Sequence, residues 1–235
     1  MPAPAFIIPF FWDPTFILLI PAMILALWAQ GLVSRAYRRY SQVPARSGAT
    51  GRDVAADLLL KGGLADVPVQ PTKGRLDDHY DPRRRTVNLS PGVYQGRSLA
   101  ALAVAAHETG HAMQHAEGWF PLALRNVMAP TVGFGSSLAF PLFLVGFLFS
   151  SFRVLMDVGI LLFSLAVLFH LITLPVELDA SRRAMAMLEG GGYLTVDEGR
   201  GARKMLRAAA MTYVAAAAVS VMHLLRLLIL RGARD

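Results

Sequence analysis

The chain has 235 residues, 54% of them apolar, with mean hydropathy +0.46 and net charge +7, too apolar for an ordinary soluble domain and consistent with lipid contact. It contains no cysteine, which excludes disulfides and thiolate metal ligands and leaves His, Asp and Glu as donors. The basic excess lies in loops between apolar runs and not on an aromatic-laced basic domain, which argues against nucleic acid as a partner.

The first element in chain order is an apolar run from Phe16 to Leu32, long enough with its flanks for a membrane helix. No basic segment precedes it and no small-residue cleavage site precedes the Arg35, Arg38, Arg39 cluster, so it reads as a retained anchor. Thr50 and Asp53 have capping-box spacing, Val54 to Leu60 follows as a short helix, and Lys61, Gly62 and Gly63 end it. Val67 to Val69, Leu76 to Tyr80 and Thr86 to Leu89 are separated by turn residues and suggest a small antiparallel sheet.

Ser98 to His115 is rich in Ala and Leu and favours helix strongly. Two further spans are expected at Ala129 to Phe149 and Val154 to Leu174. A second exposed segment opens at Pro175 and carries a helix that stops at Gly190, Gly191 and Gly192. Thr195 and Glu198 then cap a helix that continues into the last span, Ala208 to Leu230.

The expected fold is mainly α and membrane-integral. About four transmembrane helices accompany a small α+β, zincin-like part made of the short antiparallel sheet and the motif helix. The divisions are an anchor over 1–33, an α+β catalytic segment over 34–118, a transmembrane hairpin over 119–175, a second catalytic segment over 176–207, and a last transmembrane helix and tail over 208–235. Lys and Arg number 12 in residues 31–118 and 6 in residues 176–207. Four crossings put both segments on one side, and the positive-inside bias makes that side the cytoplasm.

His107, Glu108, Thr109, Gly110 and His111 read HExxH. A spacing of four puts two imidazoles one turn apart on one helix face, where both reach a single Zn²⁺ at about 2.0 to 2.1 Å. Glu108 is turned roughly 100° from His107 around the helix, which suits it to deprotonate a metal-bound water. The bland alternative is a solvent-facing helix decorated by these three residues. Apolar Leu102 to Ala106 weighs against it, because burying His and Glu without a task is costly.

A catalytic zinc takes three protein ligands and keeps one open position. His115 lies roughly 12 Å along a helix from His107 and is too far to share the ion. Glu117 has metzincin spacing after His111, yet Gln114 stands where those sites place a chain-bending glycine. Glu177, at the exit of the third span, is the preferred third ligand, with Asp179 as its neighbouring alternative. Its bland reading is an acidic helix start after Pro175.

The chain resembles the YugP-like family of neutral zinc metallopeptidases of bacterial membranes, from the first anchor to the last span. The resemblance rests on Asp78 to Pro82 (DHYDP), Asn88 to Ser98, the motif helix, and Leu174 to Arg183 (LPVELDASRR). More distantly it is similar to the heat-shock protease HtpX and the prenyl-protein proteases. Their second motif is matched here at Glu177 and Ala180 and departs at Ser181, which replaces an Asp that orients a ligating His. Either Ser181 supplies a weaker hydrogen bond or Asp179 takes that role. The resemblance implies a gluzincin-type hydrolase with one Zn²⁺ per chain on His107, His111 and Glu177, and Glu108 as catalytic base.

Candidates for the oxyanion donor are His79, Tyr80, Arg182 and Arg183, against a bland reading as a turn-and-strand pair and two interfacial cations. Thr86, Val87, Asn88 and Leu89 are expected to form an exposed edge strand on which an extended substrate adds. His170 lies within a span, where an ionisable group is as often bonded to a neighbour as functional. His223 and Arg226 read as interfacial.

The leading reading is a multi-pass zinc endopeptidase of the bacterial cytoplasmic membrane, its active site on the cytoplasmic side. Its partners are a protein or peptide substrate in or near the membrane and the lipid bilayer. The alternatives are an inactive zinc-binding membrane scaffold and a small transporter. Oligomeric state and substrate preference are left open by the sequence.

Overall fold

The computed structural model describes residues 13–74 and 76–233. A 3₁₀ turn, Pro14–Leu18, is capped by Asp13 and leads into helix α1 (Leu19–Tyr40). Helix α2 (Gly51–Lys61) starts with the expected capping box, Thr50 and Asp53 bonding reciprocally. Three strands follow, β1 (Val69–Pro71), β2 (His79–Asp81) and β3 (Thr86–Leu89). The remaining helices are α3 (Pro91–Tyr94), α4 (Leu99–Ala116), α5 (Phe120–Leu148), α6 (Val154–Gly190) and α7 (Val196–Gly232). Helices α1, α5, α6 and α7 are each long and apolar enough to cross a bilayer.

The sheet has the order β1-β3-β2, with β1 parallel and β2 antiparallel to β3. The antiparallel sheet expected from the sequence is therefore mixed. A tight turn after β2 makes an ordinary hairpin, in which Asp81 Oδ1 accepts from the N–H groups of Arg83 and Arg84 at 2.8 and 3.1 Å. The longer 72–78 connection instead carries the chain from β1 across to the far side of β3. That order also corrects the edge assignment. Thr86, Val87, Asn88 and Leu89 form the central strand, with a partner on each side, so they offer no free edge.

Helix α6 runs unbroken through Pro175, where the sequence had suggested a new helix start. Proline there costs a backbone bond, about 3 kcal/mol in a helix interior. Downstream, Val176, Ala180, Ala184 and Leu188 are fully buried along one helical stripe, and that packing favours continuation. Helix α5 likewise begins at Phe120, ahead of the expected Ala129, and contains Pro130 and Pro141.

The chain divides into two compact units. One comprises Met1–Trp28, Leu124–Leu174 and Tyr213–Asp235. Among its described residues, Phe143, Met156, Leu227 and Leu230 form a buried cluster, and His223 packs on Phe163 with ring centres 5.2 Å apart. Arg226 is buried here. It donates to Asp13 Oδ2 at 2.6 Å and lies over the Phe16 ring, so it is an internally paired cation.

The other unit comprises Ala29–Ala123 and Pro175–Thr212. Its centre is α4, which has apolar neighbours on two sides. Leu102 and Ala106 join Val54, Leu58, Met185 and Leu206 in one cluster. Ala101, Ala105 and Ala112 join Leu59, Val87 and Leu89 in another, so α2, the sheet, α6 and α7 all pack around α4. Alanine serves here because it favours helix and lets neighbouring backbones come close. Ser98 caps the helix, its Oγ accepting from Ala101 N–H at 3.2 Å.

Candidate metal centre

Helix α4 presents His107 and His111 one turn apart, with ring centres separated by 4.8 Å and planes nearly perpendicular. Helix α6 brings Glu177 to them. Its Oε2 lies 3.2 Å from His107 Nε2 and 3.7 Å from His111 Nε2. One ligand atom from each of the three residues lies within 4.8 Å of the others. Tetrahedral ligands at about 2.0 to 2.1 Å from zinc stand about 3.3 Å apart, so this spacing suits one ion.

The close approach of the two helices depends on Gly110. A Cβ there would come within 2.7 Å of the Ala180 carbonyl oxygen. A side chain at this position would push α4 off α6 and part the histidines from Glu177.

Each histidine is oriented by its other ring nitrogen. Gln114 is completely buried, and its Nε2 donates to the Val176 carbonyl at 3.0 Å and to Asp179 Oδ2 at 2.9 Å. Both partners only accept, so the amide orientation is fixed and Oε1 faces His111 Nδ1 at 3.0 Å. Nδ1 must then carry the hydrogen, and in the neutral ring Nε2 has the lone pair that a metal requires. His107 Nδ1 contacts Ser181 Oγ at 3.2 Å.

The two possibilities raised for the missing Asp therefore divide between the histidines. Ser181 serves His107, and Asp179 serves His111 through Gln114. Asp179 is itself held by Arg182 and by Arg183, whose Nε donates at 2.6 Å.

Burial opposes charging His111, but the facing Glu177 carboxylate and the negative charge of Glu108 outweigh that. The imidazole is raised above its ordinary value. A buried place that favours positive charge on a lone-pair nitrogen fits a divalent cation, and the donor set of two imidazoles and a carboxylate fits zinc.

Glu108 is buried beside this group and held separately. Its Oε2 accepts from the Tyr80 backbone N–H at 3.0 Å, which ties the motif helix to β2. Among the described residues Oε1 has no hydrogen-bond partner. Nearby, Asp78 accepts from Ser90 N–H at 2.7 Å and Ser90 Oγ at 3.0 Å. Burial, with the Glu108 charge added, pushes the Asp78 carboxyl up.

The other sequence candidates point elsewhere. The Tyr80 hydroxyl contacts His115 Nδ1 at 2.8 Å, and exposed His79 places Nδ1 2.9 Å from the Asp77 carbonyl oxygen. Arg182 is largely exposed and engaged with Asp179. Glu117 accepts from Arg183 at 2.6 Å and stands apart from the histidines. Two contributors escaped the sequence reading, Gln114 and the Tyr80 N–H. The first could have been found by asking what lies three residues beyond a ligating His on the same helix. A backbone donor on another strand leaves no such signal.

A mainly helical chain with four helices fit to cross a membrane, and with two histidines and a glutamate placed to hold one divalent ion, has the features of a membrane metalloprotein. Residues 15–232 match the family described as "Putative neutral zinc metallopeptidase", and the chain belongs to that family. It is 50% identical over 219 residues to the Bacillus subtilis (strain 168) protein named "Putative membrane protease YugP", a match spanning 93% of this chain and 97% of that one. No solved structure matches the chain.

Proposed function

We propose that the chain is a zinc-dependent endopeptidase that cleaves membrane or membrane-near proteins from the cytoplasmic side of the bacterial membrane. The observation that carries this reading is the placement of Glu108. It is adjacent to the His107, His111 and Glu177 group, yet one of its oxygens is held by a backbone N–H and the other is open. A purely structural metal site has no use for a second buried carboxylate in that position.

His107, His111 and Glu177 would hold the ion, which when bound lowers the pKa of a water and polarises a carbonyl oxygen. Glu108 Oε1 takes the proton of the attacking water and passes it to the leaving amine, while the Tyr80 N–H keeps Oε2 in place. Ser181 and Gln114 hold the two imidazoles in the tautomers this arrangement needs. With β3 central, strand addition falls to the outer edge of β2, whose Tyr80 N–H already faces Glu108.

The test is Glu108→Gln in the purified full-length protein. It should retain zinc and lose hydrolysis of an unfolded protein substrate by roughly 10²-fold or more. His107→Ala should lose the metal itself. Undiminished hydrolysis by Glu108→Gln would overturn the assignment.

A further inference from the structure

We infer that the cavity lined by the end of α1 and the start of α7 is a binding site for the phosphate of an anionic phospholipid headgroup. The cavity has a volume of about 460 Å³, within the range of small-ligand sites. Four cations line it, Arg35 and Arg39 from α1 and Lys204 and Arg207 from α7, and its lining contains no acidic residue. All four are exposed, and among the described residues none has a carboxylate partner.

Several other basic positions of the same unit are instead held by carboxylates. Arg182 and Arg183 are neutralised by Asp179, Arg203 by Glu189 and Lys61 by Asp57. The unpaired four come from positions far apart in sequence, and the fold gathers them around one space. Like charges gathered around one space repel unless an anion sits among them.

The cavity is also graded in polarity. On α1 the apolar lining residue Leu32 precedes the arginines, toward the apolar run that starts near Phe16. On α7 the apolar lining residue Met211 follows the cations, toward the apolar run that ends near Leu230. Both helices therefore place their cations on the side away from the membrane-spanning sequence and their apolar residues on the side toward it. A ligand matching both has a phosphate at one end and acyl chains at the other.

Gly31 contributes space. The Arg35 guanidinium lies over it so closely that a Cβ there would be 3.1 Å from Nη1. Arg35 thus leans back toward the apolar side, where a headgroup phosphate would meet it. A soluble phosphate would satisfy the cations and make no use of Leu32 and Met211.

The experiment is native mass spectrometry of the full-length protein in mixed micelles holding equal phosphatidylglycerol and phosphatidylcholine. The wild type should retain phosphatidylglycerol preferentially. At about 1 kcal/mol per cation, Arg35→Gln and Lys204→Gln should each weaken that binding roughly fivefold, and the double variant roughly 30-fold. Arg52→Gln with Lys73→Gln removes the same charge from exposed positions outside the cavity and should leave the preference intact.

Equal retention of the two lipids by the wild type, or an equal loss in the Arg52 and Lys73 control, overturns the proposal. Inorganic phosphate should fail to displace the lipid. Displacement at matched concentration would make the cavity a free-phosphate site and sink the lipid assignment. The measurement needs neither metal nor hydrolysis, so its result is independent of the peptidase reading.

Discussion

Gln114 is the residue on which His111 depends most, because its amide is committed on both sides. It donates to the Val176 carbonyl and to Asp179, and so presents only an acceptor to the imidazole. Gln114→Leu keeps the volume and removes all three bonds. It should weaken zinc binding 10- to 100-fold in a chelator competition while circular dichroism stays helical. Unchanged affinity would show that His111 finds its tautomer without this residue. Ser181 makes a longer, neutral contact to His107, and a carboxylate in its place would make a charge-assisted bond roughly twice as strong. The zinc affinities of Ser181→Ala, wild type and Ser181→Asp should therefore rise in that order, and a reversed order would refute the role given to the hydroxyl.

The approach of α4 to α6 at Gly110 sets the geometry of the whole donor group. Gly110→Ala introduces a methyl where 2.7 Å separates the ideal Cβ from the Ala180 carbonyl oxygen. Backbone must yield there, so the variant should lose about 1 to 3 kcal/mol of stability. Thermal unfolding would read that loss, and zinc binding should weaken alongside it. A variant with wild-type melting and zinc affinity would mean that the helices can part without cost. Elements like α4 were legible in the sequence because their signals are local, in the Ser98 cap, the alanine run and the i, i+4 histidines. The capping boxes at Thr50 and Thr195 were legible for the same reason. The order β1-β3-β2 was not, since a parallel pairing across the 72–78 connection leaves no periodic trace, and a four-residue central strand has the same local pattern as an edge. Continuity of α6 through Pro175 was also hidden. Proline signals a break locally, and only the buried stripe from Val176 to Leu188 shows why none occurs. Glu177 was legible as a candidate, whereas the path from Asp179 through Gln114 to His111 joins residues from two helices that meet only in the folded chain.

Across the whole molecule, the distribution of charge carries a claim about orientation. Residues 31–118 and 176–207 hold 12 and 6 of the 23 Lys and Arg, and the same two segments supply His107, Glu108, His111 and Glu177. With four helices fit to cross a bilayer, an even number of crossings returns the end of the chain to the side where it began. In the orientation proposed above, the donor group would face the cytoplasm and the end of α7 would face outward. The natural chain contains no cysteine, so single reporters can be introduced without removing any native thiol. Lys73→Cys, at an exposed position after β1, should resist a membrane-impermeant maleimide in intact cells and react once the membrane is permeabilised. Ala233→Cys, just past α7, should react in intact cells. If Lys73→Cys labels first and Ala233→Cys is protected, the orientation is reversed and cleavage would occur on the outer face. If both positions behave alike, the number of crossings between them is even, and α5, α6 and α7 do not all span.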